Sequence, residues 1–373
     1  MTNIGLYVNI PFCKSKCYYC DFPSFPNIDH LMESYVEALK KEIVEYRDLN
    51  FDTIFIGGGT PSYLKLEVLK DLASLFKIIN IQNVVEFTME VNPGTLNEEK
   101  MKIIKDMGVN RISFGLQSAS DATLKKLGRI HSFDDFKRSF EIARKHEVKN
   151  INVDLIYSIP EVDIEDSINS LNEIIKFKPE HISAYSLILE EGTVFMDLFK
   201  KGKLSLKDED LEILEQEQIF NILNKNDYIR YEISNFSKNN FKCKHNLKYW
   251  NLDEYIGIGS SSHSYYKGKR FNNVASVYEY ISKVEKEGFK AENCHVNLLK
   301  ENIEEFMILG LRKTEGISLS DFKNRFKRNF FEIYPEQFER WKEKELIFQD
   351  AERIKLTEKG MDLSNVVLKD FLL

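Results

Sequence analysis

A chain of 373 residues is long enough to bury one large core and a smaller domain beside it. Its hydrophobic (43%) and charged (30%) fractions are ordinary for a globular protein, and a net charge of -7 argues against a nucleic-acid or anionic-membrane binder, which needs a basic footprint. No apolar run reaches the roughly 18 residues of a membrane span, the opening MTNIGLYVNI has neither a cationic segment nor a cleavable apolar core, and five cysteines in a chain this long make no disulfide framework.

These features place the chain in the reducing cytoplasm, with a peripheral visit to a membrane left open. Along its first two-thirds, short β-rich runs alternate with amphipathic ones. Strands are predicted at 5–10, 53–57, 84–91, 111–116, 151–158 and 181–187. Between the first two strands, Tyr35, Val36, Leu39, Ile43 and Val44 recur at helical spacing among Lys and Glu. LEVLKDLASLFKII, NEEKMKIIKDMG and FDDFKRSFEIARKHE have the same pattern, and Gly108 is a C-terminal stop for the second of these. Strands alternating with helices imply βαβ units and a parallel sheet.

The residues with distinctive chemistry cluster at the C-terminal ends of these strands. A cysteine loop follows the first, GGGTPS follows the second, Glu90 closes the third and Gln117 the fourth, while Asp154 and Tyr185 lie in the fifth and sixth. A barrel gathers such ends around one mouth. The predicted fold is therefore α/β, a partial (β/α)6 barrel over residues 1–235. Residues 236–295 are read as a connecting segment, and 296–373 as a mostly helical, winged-helix-like cap. Residues 301–373 carry 13 Lys/Arg against 15 Asp/Glu, so the cap is not expected to read nucleic acid, whose phosphates demand net positive charge.

In LYVNIPFCKSKCYYCDF, Cys13, Cys17 and Cys20 lie within eight positions. Three thiolates in one loop suit a soft metal or an iron–sulfur cluster. A structural zinc site needs a fourth ligand, and the nearest candidate, His30, lies ten residues on, past two prolines. A cluster held by three thiolates leaves one iron open to an exogenous chelator.

C-x3-C-x2-C after a first strand, with aromatic Tyr19 before the last cysteine, resembles the signature of the radical S-adenosylmethionine (SAM) superfamily. The resemblance implies a [4Fe-4S] cluster on Cys13, Cys17 and Cys20, whose open iron binds the amino and carboxylate groups of SAM and delivers the electron that cleaves it to a 5'-deoxyadenosyl radical. It also implies that Gly58, Gly59 and Thr60 of GGGTPS bind the methionine end of SAM. Glu90 of MEVNPGT, Gln117 of SFGLQS, Arg129 of LGRIHS and Asp154 of NVDLIYS would make further contacts.

With Tyr7 six residues before Cys13, the chain resembles the branch that contains oxygen-independent coproporphyrinogen III oxidase and the HemW-type haem chaperones. Within it, the oxidase pattern continues to a fourth cysteine where this chain has Phe22, and the oxidase has an N-terminal extension, whereas Cys13 lies near the start here. HNLKYW (245–250) resembles the H-N-x-x-Y-W motif of the chaperones. The resemblance thus implies a chaperone that binds haem and passes it to an acceptor haem protein, membrane respiratory enzymes and a homodimer being among the expected partners. Decarboxylation of porphyrinogen propionates is the alternative. An imidazole is a common axial haem ligand and Tyr249 and Trp250 offer flat apolar surface, so His245 is the expected haem ligand, with Cys243 and His263 as further candidates. Cys294 reads as a small core residue.

Overall fold

The computed structural model describes residues 4–288 and 291–373. Six strands run parallel in chain order: β1 (Ile4–Ile10), β2 (Phe51–Gly58), β3 (Glu86–Val91), β4 (Arg111–Gln117), β5 (Asn150–Tyr157) and β6 (His181–Ser186). Each lies within two residues of its predicted span. The crossovers between them carry α1 (Met32–Ile43), α2 (Leu66–Leu75), α3 (Glu98–Asp106), α4 (Asp121–Lys126), α5 (Phe133–Lys145) and α6 (Ile164–Lys176). Asn97 caps α3, Ser120 caps α4, and Ser132 with Asp135 closes a reciprocal capping box on α5. The chain then forms α7 (Val194–Lys200) and α8 (Glu209–Lys225), and the hairpin β7 (Ile229–Arg230) and β8 (Asn235–Ser237) extends the sheet antiparallel to β6.

Parallel strands buried on both faces usually read as continuous apolar runs. These alternate. Leu6, Val8, Ile54, Ile56, Phe87, Met89, Ile112, Phe114, Ile151, Val153 and Ile182 belong to the core packed beneath the helices. The intervening positions hold Tyr7, Asn9, Thr53, Glu86, Thr88, Glu90, Arg111, Ser113, Asn152, Asp154 and His181. Successive side chains of a strand face opposite ways, so the barrel interior is polar.

The segment expected only to connect two domains does more. It forms α9 (Lys244–Trp250) and then β9 (Tyr255–Ile258), which pairs in parallel with β1. After β9 come β10 (His263–Tyr266), β11 (Lys269–Asn272), α10 (Val277–Glu287) and β12 (Glu292–Val296), the three strands continuing the sheet antiparallel. One open twelve-stranded sheet thus crosses the boundary drawn at residue 235, in the order β12-β11-β10-β9-β1-β2-β3-β4-β5-β6-β8-β7. It is a partial barrel: among the described residues no strand pairing joins its two ends.

The C-terminal part has its own aromatic core, including Phe306, Phe322, Phe330, Tyr334, Phe338 and Phe371, joined by Leu252 and Tyr265 from the preceding segment. Helices α11 (Leu299–Gly310), α12 (Leu319–Phe326), α13 (Phe330–Ile333) and α14 (Pro335–Glu343) lead into a hairpin, and α15 (Glu358–Asp362) and α16 (Ser364–Lys369) follow it. The hairpin strands Ile347–Gln349 and Arg353–Leu356 pair with each other, and the second also pairs with Ile317–Ser318, giving the expected winged arrangement. Among the described residues, no helix is long and apolar enough to cross a membrane.

Candidate functional site

The loop after β1 is tied down along its length. Phe25 N–H donates to Pro11 O at 2.8 Å, Cys13 N–H to Phe25 O at 3.3 Å, Cys20 N–H to Cys17 O at 3.3 Å, and Tyr18 N–H to Leu127 O at 3.0 Å. These bonds bring Cys13, Cys17 and Cys20 to one wall of a cavity of about 130 Å³ at the C-terminal ends of the strands. Burial pushes the thiols of Cys13 and Cys20 up from their ordinary range. At Cys17 a cation is in direct contact: Arg129 Nη1 donates to its sulfur at 3.3 Å. His30, the nearest candidate for a fourth zinc ligand, lies against Tyr278, with Tyr278 Oη 3.3 Å from its Nε2. Among the described residues, no three His, Cys, Asp or Glu side chains converge as they would around a single metal ion.

The same cavity collects Tyr19, Gly58, Gly59, Thr60, Glu90, Gln117, Arg129 and Asp154, eight of the positions that sequence reasoning singled out. Gly58 has φ of +107°, and a Cβ there would strike the Asn9 side chain. A Cβ on Gly59 would meet backbone, Phe12 O at 2.8 Å and Ile10 O at 2.9 Å. The glycine therefore allows the loop after β2 to lie against the start of the cysteine loop, where Gly59 N–H donates to Ile10 O at 2.8 Å and Thr60 N–H to Phe12 O at 2.8 Å.

Glu90 Oε2 accepts from Gly58 N–H at 3.2 Å. Burial, reinforced by the like charge of Asp154, pushes its carboxyl up to about 7. Burial also raises Asp154, which accepts from Asn152 Nδ2 at 2.7 Å. Gln117 ends β4 with φ of +76°, a conformation rare outside glycine, and its Oε1 accepts from Tyr185 Oη at 2.9 Å. Arg129 donates through Nη2 to Gly115 O and, at 3.0 Å, to Asn92 Oδ1, while its buried Nε has no partner. Sequence reasoning missed Asn92, which also donates to Thr60 Oγ1 at 2.8 Å and so links the glycine loop to Arg129. Its place two residues after Glu90 in MEVNPGT was the available signal.

Tyr7 is not on this wall. It points into the barrel one layer deeper, its hydroxyl 3.2 Å from Asn9 Oδ1 and its ring 6.2 Å from that of Phe55. A second cavity of about 470 Å³ opens there and shares Tyr19, Cys20, Phe22, Glu90, Ser113, Asp154 and Tyr185 with the first. Phe22, 62% exposed, stands at the mouth of both.

His245 corrects the expectation of an open axial ligand. The residue is 1% exposed, and both ring nitrogens are engaged, Nδ1 with Thr53 Oγ1 at 2.9 Å and Nε2 with Tyr249 Oη at 2.8 Å. Burial depresses its imidazole to about 3, so the ring is neutral. Glu86, at the start of β3, holds the N-terminus of α9 by accepting from Lys244 N–H at 2.8 Å and His245 N–H at 2.9 Å. In this state HNLKYW plugs the end of the barrel opposite the cysteines. Cys243 is buried beside Glu86 with its thiol pushed up to about 12, chiefly by burial. His263 is exposed on β10, away from both cavities. Cys294, expected in the core, is exposed on β12, at the edge of the sheet.

Comparison with known proteins places this geometry. Residues 7–174 match the Radical SAM superfamily and residues 298–363 the HemN C-terminal domain. The coproporphyrinogen III oxidase HemN of Escherichia coli superposes with a TM-score of 0.86 at 20% identity, covering 100% of this chain and 90% of that one, a likeness of fold. A protein of Lactococcus lactis named Heme chaperone HemW is 39% identical over 98% of this chain and 97% of its own. Its Bacillus subtilis namesake is 38% identical, with 98% of each chain covered. Radical SAM membership implies a [4Fe-4S] cluster and SAM. The chain belongs to the HemW family within the radical SAM superfamily.

Proposed function

We propose that this protein is a haem chaperone that binds haem and passes it to an acceptor haem protein, and that it keeps a working cluster and SAM site. The observation that carries the haem assignment is the 39% identity across nearly the whole chain with a protein named as a heme chaperone. On this reading Cys13, Cys17 and Cys20 hold the cluster, and Gly58, Gly59, Thr60, Glu90, Gln117, Arg129 and Asp154 surround SAM. The unpartnered Arg129 Nε supports the second assignment, because a buried donor left open suits a carboxylate. Glu90, poised near neutrality, can accept from an ammonium group. The cluster, when bound, supplies the electron for reductive SAM cleavage. On this reading the chain's own residues cradle the methionine end, and Arg129 donates to the Cys17 sulfur.

The intact site keeps porphyrinogen decarboxylation as a second reading, against which stands Phe22 in place of a fourth cysteine. One experiment separates them. The protein is reconstituted anaerobically with iron and sulfide, loaded with haem, freed of excess by gel filtration and mixed with apomyoglobin. A carrier retains haem and yields holomyoglobin without consuming SAM. An oxidase retains none, and instead consumes SAM in step with carboxyl loss from coproporphyrinogen. Cys13→Ala, Cys17→Ala or Cys20→Ala should each abolish iron and sulfide incorporation; full incorporation would remove the cluster assignment.

A further inference from the structure

Buried polar atoms in folded proteins are paired with few exceptions, and each exception asks for an explanation. Three of the described residues' unpaired buried donors face one space: Arg111 Nε, Arg312 Nε and Trp250 Nε1 all belong to residues lining the 470 Å³ cavity inside the barrel. The Arg111 side chain is 2% exposed, and its Nε has no hydrogen-bond partner among the described residues. Glu86 and Asp154 lie near enough for their charges to favour the charged guanidinium, but their hydrogen bonds go elsewhere. Glu86 accepts from the backbone of α9, and Asp154 accepts from Asn152 Nδ2 at 2.7 Å. Glu232, on the side of Arg312, accepts from Ser234 N–H at 3.0 Å. Arg312 reaches the cavity from the C-terminal domain, its guanidinium stacked 4.6 Å above the Trp250 ring.

A guanidinium with N–H donors left unpaired inside the fold forgoes bonds that a carboxylate would supply. Two of them lining one cavity, together with an indole, suit a flat molecule carrying carboxylates: the guanidiniums offer forked donors and the indole an N–H and aromatic surface. The volume lies within the roughly 300–1,000 Å³ of small-molecule sites. We infer that Arg111 and Arg312 receive the carboxylates of a flat tetrapyrrole bound inside the barrel, against the SAM site and across the junction with the C-terminal domain. The choice of tetrapyrrole rests on the haem reading above; the demand for carboxylate rests on the two arginines.

Haem, haem dimethyl ester and metal-free coproporphyrin are titrated into the full-length reconstituted protein and into its Arg111→Met and Arg312→Met variants. Losing one charge-assisted pair should weaken binding roughly tenfold to a hundredfold. That loss is expected for the ester on wild type and for free-acid haem on each variant. Equal binding of haem, ester and variants would overturn the site while leaving the haem reading intact. Arginine-dependent binding of coproporphyrin without haem binding would support the site and overturn the haem reading. Binding of neither porphyrin would overturn both. SAM stoichiometry by equilibrium dialysis separates the other source of carboxylate: if the variants lose SAM but keep porphyrin, the tetrapyrrole assignment falls.

Discussion

Replacing His245 with alanine should unfold the protein more easily before it does anything to haem. The imidazole is 1% exposed and packs 5.4 Å from the Phe55 ring, with the Thr53 hydroxyl at 2.9 Å on one nitrogen and the Tyr249 hydroxyl at 2.8 Å on the other. Truncation empties that volume and strands two hydroxyls inside the barrel. Each stranded group costs about 1–3 kcal/mol when it finds no new partner, and the cavity adds to that. The expected total is about 3–5 kcal/mol, measured as the urea-unfolding free energy of the cluster-free protein with no haem present. Thr53→Val and Tyr249→Phe should each reproduce part of this loss, because each leaves one ring nitrogen unpaired. The reasoning is refuted if His245→Ala unfolds like wild type in the absence of haem yet fails to retain haem. That pattern would mean that the ring swings out to ligate iron and that the buried arrangement contributes little.

Gly59→Ala should impair cluster retention as well as SAM binding, because the added methyl meets Phe12 and Ile10 backbone at under 3 Å and must push the cysteine loop away; normal iron content with only SAM affinity reduced would contradict this. Arg129→Met should weaken SAM binding roughly tenfold or more, the value of a charge-assisted hydrogen bond, by equilibrium dialysis, and unchanged affinity would count against a carboxylate on Nε. Stability should fall as pH drops below 6.5, because unfolded imidazoles take up protons that buried His245 and His131 refuse until about 3. Glu42 and Glu90, both raised to about 7, work in the opposite direction above the ordinary carboxylate range, so the difference between wild type and His245→Gln is the clean measure: its slope should differ by about 1.4 kcal/mol per pH unit between about pH 5.5 and 3.5. Finally, if SAM and tetrapyrrole occupy the two adjoining cavities, saturating one should change the other's affinity, by a factor that linkage makes the same in both directions; affinities that do not change at all would show that the two ligands do not share a wall.

The six strands and their helices were legible because apolar spacing and strand-end glycines are local signals. The cysteine loop and the residues gathered with it around the cavity were legible because short motifs carry them. Three things were not. Strands β9 to β12 are only four or five residues long, in a stretch containing Gly257, Gly259 and four serines from Ser260 to Ser264, too brief for a period to show. Cys294 reads as apolar by type, but its strand lies at the sheet edge, which only the pairing order reveals. HNLKYW was read for what its side chains could ligate. Which end of the barrel it closes depends on Glu86, some 160 residues earlier. One legible signal went unread, the alternation of polar and apolar residues in most of the parallel strands, β2 with its Ile54-Phe55-Ile56 run excepted, which announces a largely polar interior.

That alternation also bears on why a carrier would keep a complete radical-SAM site. The residues that line the SAM cavity and the residues that line the interior cavity sit on the same strands, often on the same side chain: Glu90, Ser113, Asp154 and Tyr185 face both. Losing the SAM residues would therefore also dismantle a wall of the larger cavity, and the two cannot drift apart freely. Binding at one reshapes charge at the other, since Asp154 already helps hold the Glu90 carboxyl near neutrality and any cation placed in the SAM cavity would draw that proton off. A tetrapyrrole whose carboxylates sit on Arg111 and Arg312 would then share its cavity with a newly charged Glu90, and its affinity would fall as SAM binds. A SAM site coupled to haem affinity in this way would be retained without catalytic turnover.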